Sequence, residues 1–184
     1  MSLAFRKERF TEKLKNLKFK MSRSIIFSFL ILCSSCGIYS FSGSSIPSEA
    51  KNVSVDYFQN NALTKQPILS QLISEKLKDF FIQRTNLQLQ NQDGDLHFSG
   101  EITKYEIKPM SINSNETAGQ NRLTISVKVK YSNRFQLENN FDQTFSRYKD
   151  FDSSLNLNEI EEELIEEISK QLIDDIFNKS VVNW

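Results

Sequence analysis

Residues Leu123 to Tyr131 alternate more strictly than any other stretch of the chain. Leu123, Ile125, Val127, Val129 and Tyr131 are apolar, and Arg122, Thr124, Ser126, Lys128 and Lys130 stand between them. Successive side chains of a strand point to opposite faces, so this pattern predicts a strand with one apolar and one polar face. The apolar face must be covered, and the polar one is left to solvent or a partner. Two segments supply the cover. Ile68, Leu69, Leu72, Ile73, Leu77, Phe80 and Phe81 recur at three- and four-residue spacing across 66–83, and Pro67 can open this helix because it needs no N–H there. Ile160, Leu164, Ile168, Leu172 and Ile176 repeat every fourth residue, with Ile165, Ile173 and Phe177 beside them. They predict a second helix over 159–178, ending near Asn178-Lys179. Its acids Glu161, Glu162, Glu163, Glu166 and Glu167 cluster in the first half, where the helix dipole favours them.

Shorter alternations surround these elements. Val53, Val55 and Tyr57 predict a first strand, Leu87 and Leu89 a second, and Leu96, Phe98, Gly100 and Ile102 a third. Asp93-Gly94 reads as a hairpin turn, since both residues tolerate positive φ. Parity changes at Tyr105 and Ile107, which a bulge near Thr103-Lys104 explains. Residues 110–121 read as a polar loop, and Phe135, Leu137, Phe141 and Phe145 as a further extended segment. The expected fold is α+β (mixed α/β): a mostly antiparallel or mixed sheet of four to five strands with two helices on one face, in the order β-α-β-β-β-α.

The amino end does not belong to that domain. Arg6, Lys7, Arg9, Lys13, Lys15, Lys18, Lys20 and Arg23 precede a short apolar run, Ile25 to Leu32, and small residues follow. This is the pattern of a secretory signal over 1–35, and the run is far below the ~20 residues that span a bilayer. A signal beginning at Met21 has ordinary length, so residues 1–20 read as an upstream extension or as a long basic leader. Without residues 1–35 the chain keeps 15 bases and 21 acids, near −6, with no basic stripe for nucleic acid.

Both cysteines, Cys33 and Cys36, close the apolar run. A disulfide between them is geometrically poor, and a redox C-x-x-C needs a folded βαβ context. Ser34-Ser35-Cys36-Gly37 resembles a bacterial lipobox, with Cys33 where that motif usually has Leu. Acylation with diacylglyceride and fatty acid (palmitate) is assigned to Cys36, because bulky Leu32 precedes Cys33. Residues 36–50, rich in Ser, read as a lipidated tether, and 51–184 as one domain.

No catalytic or metal-binding pattern emerges, and no non-covalent cofactor is expected. His97, the only histidine, lies between Leu96 and Phe98 and should face outward. There is no Gly-x-Ser-x-Gly elbow and no glycine-rich phosphate loop. Asn91-x-Asp93-Gly94-Asp95 lacks the glycine position and closing Glu of a calcium loop. A periplasmic hydrolase would need a nucleophile–base pair that the sequence does not offer.

Cys36-Gly37-Ile38-Tyr39-Ser40-Phe41-Ser42-Gly43, Ser45-Ile46-Pro47, Asn121-Arg122-Leu123-Thr124-Ile125, Phe145-Ser146-Arg147-Tyr148 and Asn178-Lys179-Ser180-Val181-Val182-Asn183-Trp184 together resemble the lipopolysaccharide-assembly lipoproteins of the LptE family, in the branch found in Bacteroidota. The resemblance to the enterobacterial branch is topological, so none of that branch's functional residues is carried over. It implies an outer-membrane lipoprotein facing the periplasm, a partner and plug of the β-barrel LptD, and binding of lipopolysaccharide. Gly37 is not the Asp that retains enterobacterial lipoproteins at the inner membrane, and no acidic surface-export cluster follows Cys36. Arg122, Lys128 and Lys130, extended by Lys104 and Lys108, are the candidate contacts with lipopolysaccharide or barrel. The competing reading is a lipid-anchored periplasmic binding module of another envelope system. Labelling with radioactive palmitate should mark the wild-type chain and Cys33→Ala but not Cys36→Ala; equal labelling of all three would refute the assignment.

Overall fold

The alternation around Val127 becomes the central strand of a mixed sheet in the computed structural model, which describes residues 46–110 and 119–181. In chain order the elements are β1 (Asn52–Val55), β2 (Gln59–Asn60), α1 (Pro67–Arg84), β3 (Gln88–Leu89), β4 (Leu96–Met110), β5 (Gln120–Asn133), a 3-10 turn (Leu137–Asn139), β6 (Phe141–Asp152) and α2 (Leu157–Val181). The sheet runs β3-β1-β4-β5-β6, and β2 also pairs with β4. The described residues thus hold six strands rather than four or five. The added one is β2, a continuation of β1 along the same edge of β4.

Leu123, Ile125, Val127 and Val129 are fully buried and Tyr131 nearly so. α2 covers them with Leu164, Ile168, Leu172 and Ile176, and α1 packs beside α2 over β1 and β2 with Leu69, Ile73, Leu77 and Phe81. Ile68, expected on the packed face of α1, is instead 45% exposed. Aromatic rings link the layers: Phe177 meets Phe81 at 5.2 Å, Phe81 meets Phe98 at 4.8 Å, and Phe98 meets Tyr131 at 4.8 Å between centroids. Such tilted pairs stabilise beyond the area they bury. α2 runs to Val181, three residues past the expected stop, because Ser180 and Val181 are themselves buried. Among the described residues no helix is long and apolar enough to cross a membrane.

The long strands follow the expected periodicity, including the bulge: the register between β4 and β5 shifts between Ile102 and Lys104. The short strands depart from it. Between Val55, opposite Phe98, and Gln59, opposite Glu101, the first line of strand has one residue more than β4. That extra residue reverses parity, so Tyr57 points to solvent and Phe58 enters the core. The backbone N–H of Phe58 donates to Ser74 Oγ of α1 at 2.9 Å.

Asp93-Gly94 does not make a hairpin. β3 and β4 both run parallel to β1, on either side of it, with Leu89 and Leu96 each opposite Val53. The segment between them crosses β1, and Gly94 lies against its backbone: a Cβ there would stand 2.5 Å from Ser54 N. Asp93 takes the positive φ, +56°. A glycine is needed for the close approach, and an aspartate for the turn. Asp95 then accepts from the N–H groups of Lys51 and Asn52 at 2.9 and 3.2 Å. Ahead of β1, Ile46 and Ala50 pack on the core, so the ordered domain begins within the stretch read as tether. Phe135 and Leu137, expected in a strand, are exposed in the turn before β6, whose first residue is Phe141.

Replacing Leu172 with Ala should remove about 2–5 kcal/mol of stability, because a buried helix position leaves a cavity. Glu162→Ala, on the exposed side of the same helix, should stay within about 0.5 kcal/mol of wild type. Urea unfolding curves of the two variants separate these outcomes, and coincident curves would contradict the assigned face.

Candidate functional site

β5 lies between β4 and β6, so its polar row is the middle of a three-strand outward face. Register sets the neighbours. Arg122 stands opposite Lys108 and Asp150, Lys128 opposite Glu101 and Thr144, and Lys130 opposite Ser99 and Asp142. The bulge at Thr103 decides the facing of the remaining candidates. Before it Ile102 points inward; after it Tyr105 and Ile107 do, so Lys104, Glu106 and Lys108 join the outward row. All five predicted bases therefore share one face. Cys36, the sixth candidate, lies outside the described residues.

The face is a mosaic rather than a basic patch. Arg122 donates to Asp150 through Nε and Nη2 at 2.6 and 2.8 Å, and its guanidinium lies 3.6 Å from the centre of the Tyr148 ring. Those hydrogen bonds hold the Asp150 carboxyl below the usual aspartate range and raise Arg122 further. Lys108 reaches Glu106 at 3.0 Å and Lys104 reaches it at 3.7 Å, which lowers the Glu106 carboxyl. Asp142, opposite Lys130, turns to Lys128 at 3.5 Å. Gln59, Asn61, Glu101, Lys128, Lys130 and Asp142 line a shallow open groove there. These exposed pairs are screened by salt and contribute little to stability. Arg122, bound to both Asp150 and Tyr148, is committed to the sheet itself, whereas Lys104 and Lys128, whose acids stand off at 3.7 and 3.5 Å, and Lys130 remain exposed to solvent.

The opposite side of the molecule is strongly acidic. α2 carries eight acids and two bases, a net of six negative charges, which equals the whole excess of the chain from Cys36 onward. The acid run does more than face solvent. Glu161 accepts from Tyr105 Oη at 2.5 Å, Glu166 pairs with Lys76, and Glu167 pairs with Lys149 at 2.7 Å. Further along the helix Asp175 binds Arg147 at 2.5 and 2.6 Å. Burial, reinforced by Glu161, pushes the Tyr105 hydroxyl well above its ordinary range.

One constellation has no signal in the sequence. Ser54 Oγ lies 2.8 Å from His97 Nδ1, and His97 Nε2 lies 3.4 Å from Asp56 Oδ2. A serine, a histidine and an aspartate in a row are the ingredients of a nucleophilic triad, a juxtaposition that no local pattern in the sequence announces. The chemistry does not follow. Ser54 is wholly buried beneath the Gly94 crossing, and its Oγ accepts the Gly94 N–H at 3.0 Å. No substrate carbonyl can approach such an oxygen, and the row serves to fasten the crossing to β1 and β4. His97 does face outward, as its place between Leu96 and Phe98 requires.

The lipopolysaccharide-assembly family LptE matches residues 50–180 of the chain. No curated protein matches the sequence. Among solved structures the chain is similar to a minor lipoprotein from Acinetobacter baumannii, at 17% identity over 72% of this chain and 97% of that one, TM-score 0.43. It is also similar to the rare lipoprotein B from Shewanella oneidensis, at 10% identity over 70% and 90%, TM-score 0.39. Likenesses this loose carry no argument about function. A fluorophosphonate probe should leave the native protein unlabelled, and mass-spectrometric recovery of the adduct on Ser54 would reverse the reading of that row.

Proposed function

The chain belongs to the LptE family of lipopolysaccharide-assembly proteins, and from that premise we propose a non-enzymatic lipoprotein acylated at Cys36 on the periplasmic side of the outer membrane. There it acts as plug and assembly partner of an LptD-like β-barrel and binds lipopolysaccharide. The single observation that carries this reading is the division of the domain into two electrostatic sides. The sheet presents Lys104, Lys108, Arg122, Lys128 and Lys130 together, while the net negative charge resides on α2.

An anionic ligand is repelled by the α2 side, whereas on the sheet side the five bases are offset by Glu101, Glu106, Asp142 and Asp150, so attraction there acts locally and at short range. Interaction near an anionic lipid surface contributes ~1 kcal/mol per Lys or Arg and falls off within a Debye length. Interleaved acids suit a second demand as well. The lumen of an outer-membrane barrel is polar, and a plug must meet it with hydrogen-bonding groups of both signs rather than with an apolar face. The lipid on Cys36 would supply attachment, since two or more acyl chains anchor stably.

The test has two arms. Affinity purification of the acylated chain should recover a large outer-membrane β-barrel, and recovery of a different envelope complex instead would favour the alternative binding module. In the second arm Lys104→Glu, Lys128→Glu and Lys130→Glu are combined, leaving the Arg122–Asp150 pair intact so that the sheet still folds. The folded variant should bind lipopolysaccharide or the barrel at least tenfold more weakly at low salt, with the difference shrinking as salt rises. Normal binding of both partners by the triple variant would reduce the face to solvated sheet.

A further inference from the structure

Tyr148 stands half exposed on the outward face, in the middle of rows that are otherwise charged or hydroxylic. Its ring is held from one side. The Arg122 guanidinium lies against it at 3.6 Å, and Asp150 fixes that guanidinium with two hydrogen bonds. Along β6 on the other side the next outward residue is Ser146. Its hydroxyl accepts from Ser126 Oγ at 2.9 Å, so both short side chains are turned to each other. Neither is long enough to cover an aromatic ring, which leaves the second ring face open above a low hydroxyl floor. Lys104 stands opposite Ser126 on β4, and Lys128 stands opposite Thr144, the next outward residue of β6.

We propose that Tyr148, backed by Arg122 and Asp150, is a stacking platform for one sugar ring of a phosphorylated saccharide headgroup. The inference rests on the lipopolysaccharide-binding reading above and names the part of the ligand that this face takes. A pyranose has an apolar C–H face and a polar rim. The free face of Tyr148 matches the first, and the exposed Ser146 hydroxyl, which keeps its own O–H after accepting from the buried Ser126, offers a donor to the second. Lys104 and Lys128 flank the floor as phosphate partners. Acyl chains do not fit the same place, because the outward rows of β4, β5 and β6 around the ring are polar. Since the ring is already clamped, binding immobilises little that was free, which is the usual advantage of rigid aromatic anchors.

The experiment titrates the acylated chain in detergent with two probes, intact lipopolysaccharide and its delipidated, phosphorylated core saccharide. Tyr148→Ala should bind the saccharide roughly five- to tenfold more weakly, while Tyr148→Phe, which keeps the stacking face, should stay within about twofold. The loss in Tyr148→Ala should be the same at low and high salt, whereas the loss in Lys104→Glu should shrink as salt rises. A wild type that binds the saccharide together with an equally strong Tyr148→Ala overturns the platform. So does a Tyr148→Ala that weakens only barrel co-purification, because the ring would then be a protein contact. If the wild type binds neither probe, the lipopolysaccharide-binding reading itself fails, and the platform with it. Unfolding curves of the three variants should match wild type, since all the altered side chains are exposed.

Discussion

Everything in this domain depends on the burial of one stripe of β5. Leu123, Ile125, Val127, Val129 and Tyr131 are buried in the core on which α2 packs, and β5 is paired along its length to β4 on one side and β6 on the other. A strand so held has no freedom to slip, because a shift by one residue would exchange its apolar and polar rows. The same constraint that fixes the core therefore fixes the outward row. The bulge at Thr103 extends the effect to β4. It absorbs one residue, keeps Tyr105 and Ile107 on the core side, and thereby sets Lys104, Glu106 and Lys108 outward. The polar outward face is in this sense a consequence of the packing.

The distribution of charge has a similar origin. α2 packs on β5 and β6 through its every-fourth-residue ladder, which leaves its acids only the flanks and the outer side. The flanking ones bond to neighbours: Glu161 to Tyr105, Glu166 to Lys76, Glu167 to Lys149 and Asp175 to Arg147. Arg147 and Lys149 point inward from β6, the last strand of the sheet, and are met there by the helix. Charged side chains turned inward on an edge strand discourage a further strand from pairing there. The acid run thus holds the helix in place and guards an edge, and its excess charge gives the molecule two electrostatically distinct sides.

The Ser54–His97–Asp56 row is a caution about reading chemistry from residue types. Its distances alone would admit a hydrolase, and burial decides against it. Ser54 gives its oxygen to the Gly94 N–H in the crossing from β3 to β4, so the row belongs to the fold. Family membership agrees in direction, since it points to lipopolysaccharide assembly.

How much of this was legible in the sequence depends on the length of the repeating pattern. β5, α1, α2 and the Thr103 bulge were readable because periodicity accumulates over many residues, and every residue votes for the same face. The candidate bases on β5 followed from that alternation alone. The short elements were not readable. Tyr57 and Phe58 exchanged places because of one extra residue between β1 and β2, and Asp93-Gly94 looked like a hairpin although it spans β1. Strand order, parallel pairing and the meeting of Ser54 with His97 lie in contacts between residues far apart in the chain, which no local pattern encodes. By itself the sequence determined which faces would be apolar and where charge would accumulate, since those depend on local geometry. Only the tertiary structure decided which strands adjoin, which charges neutralise one another and which ring stands free, since those depend on who packs against whom.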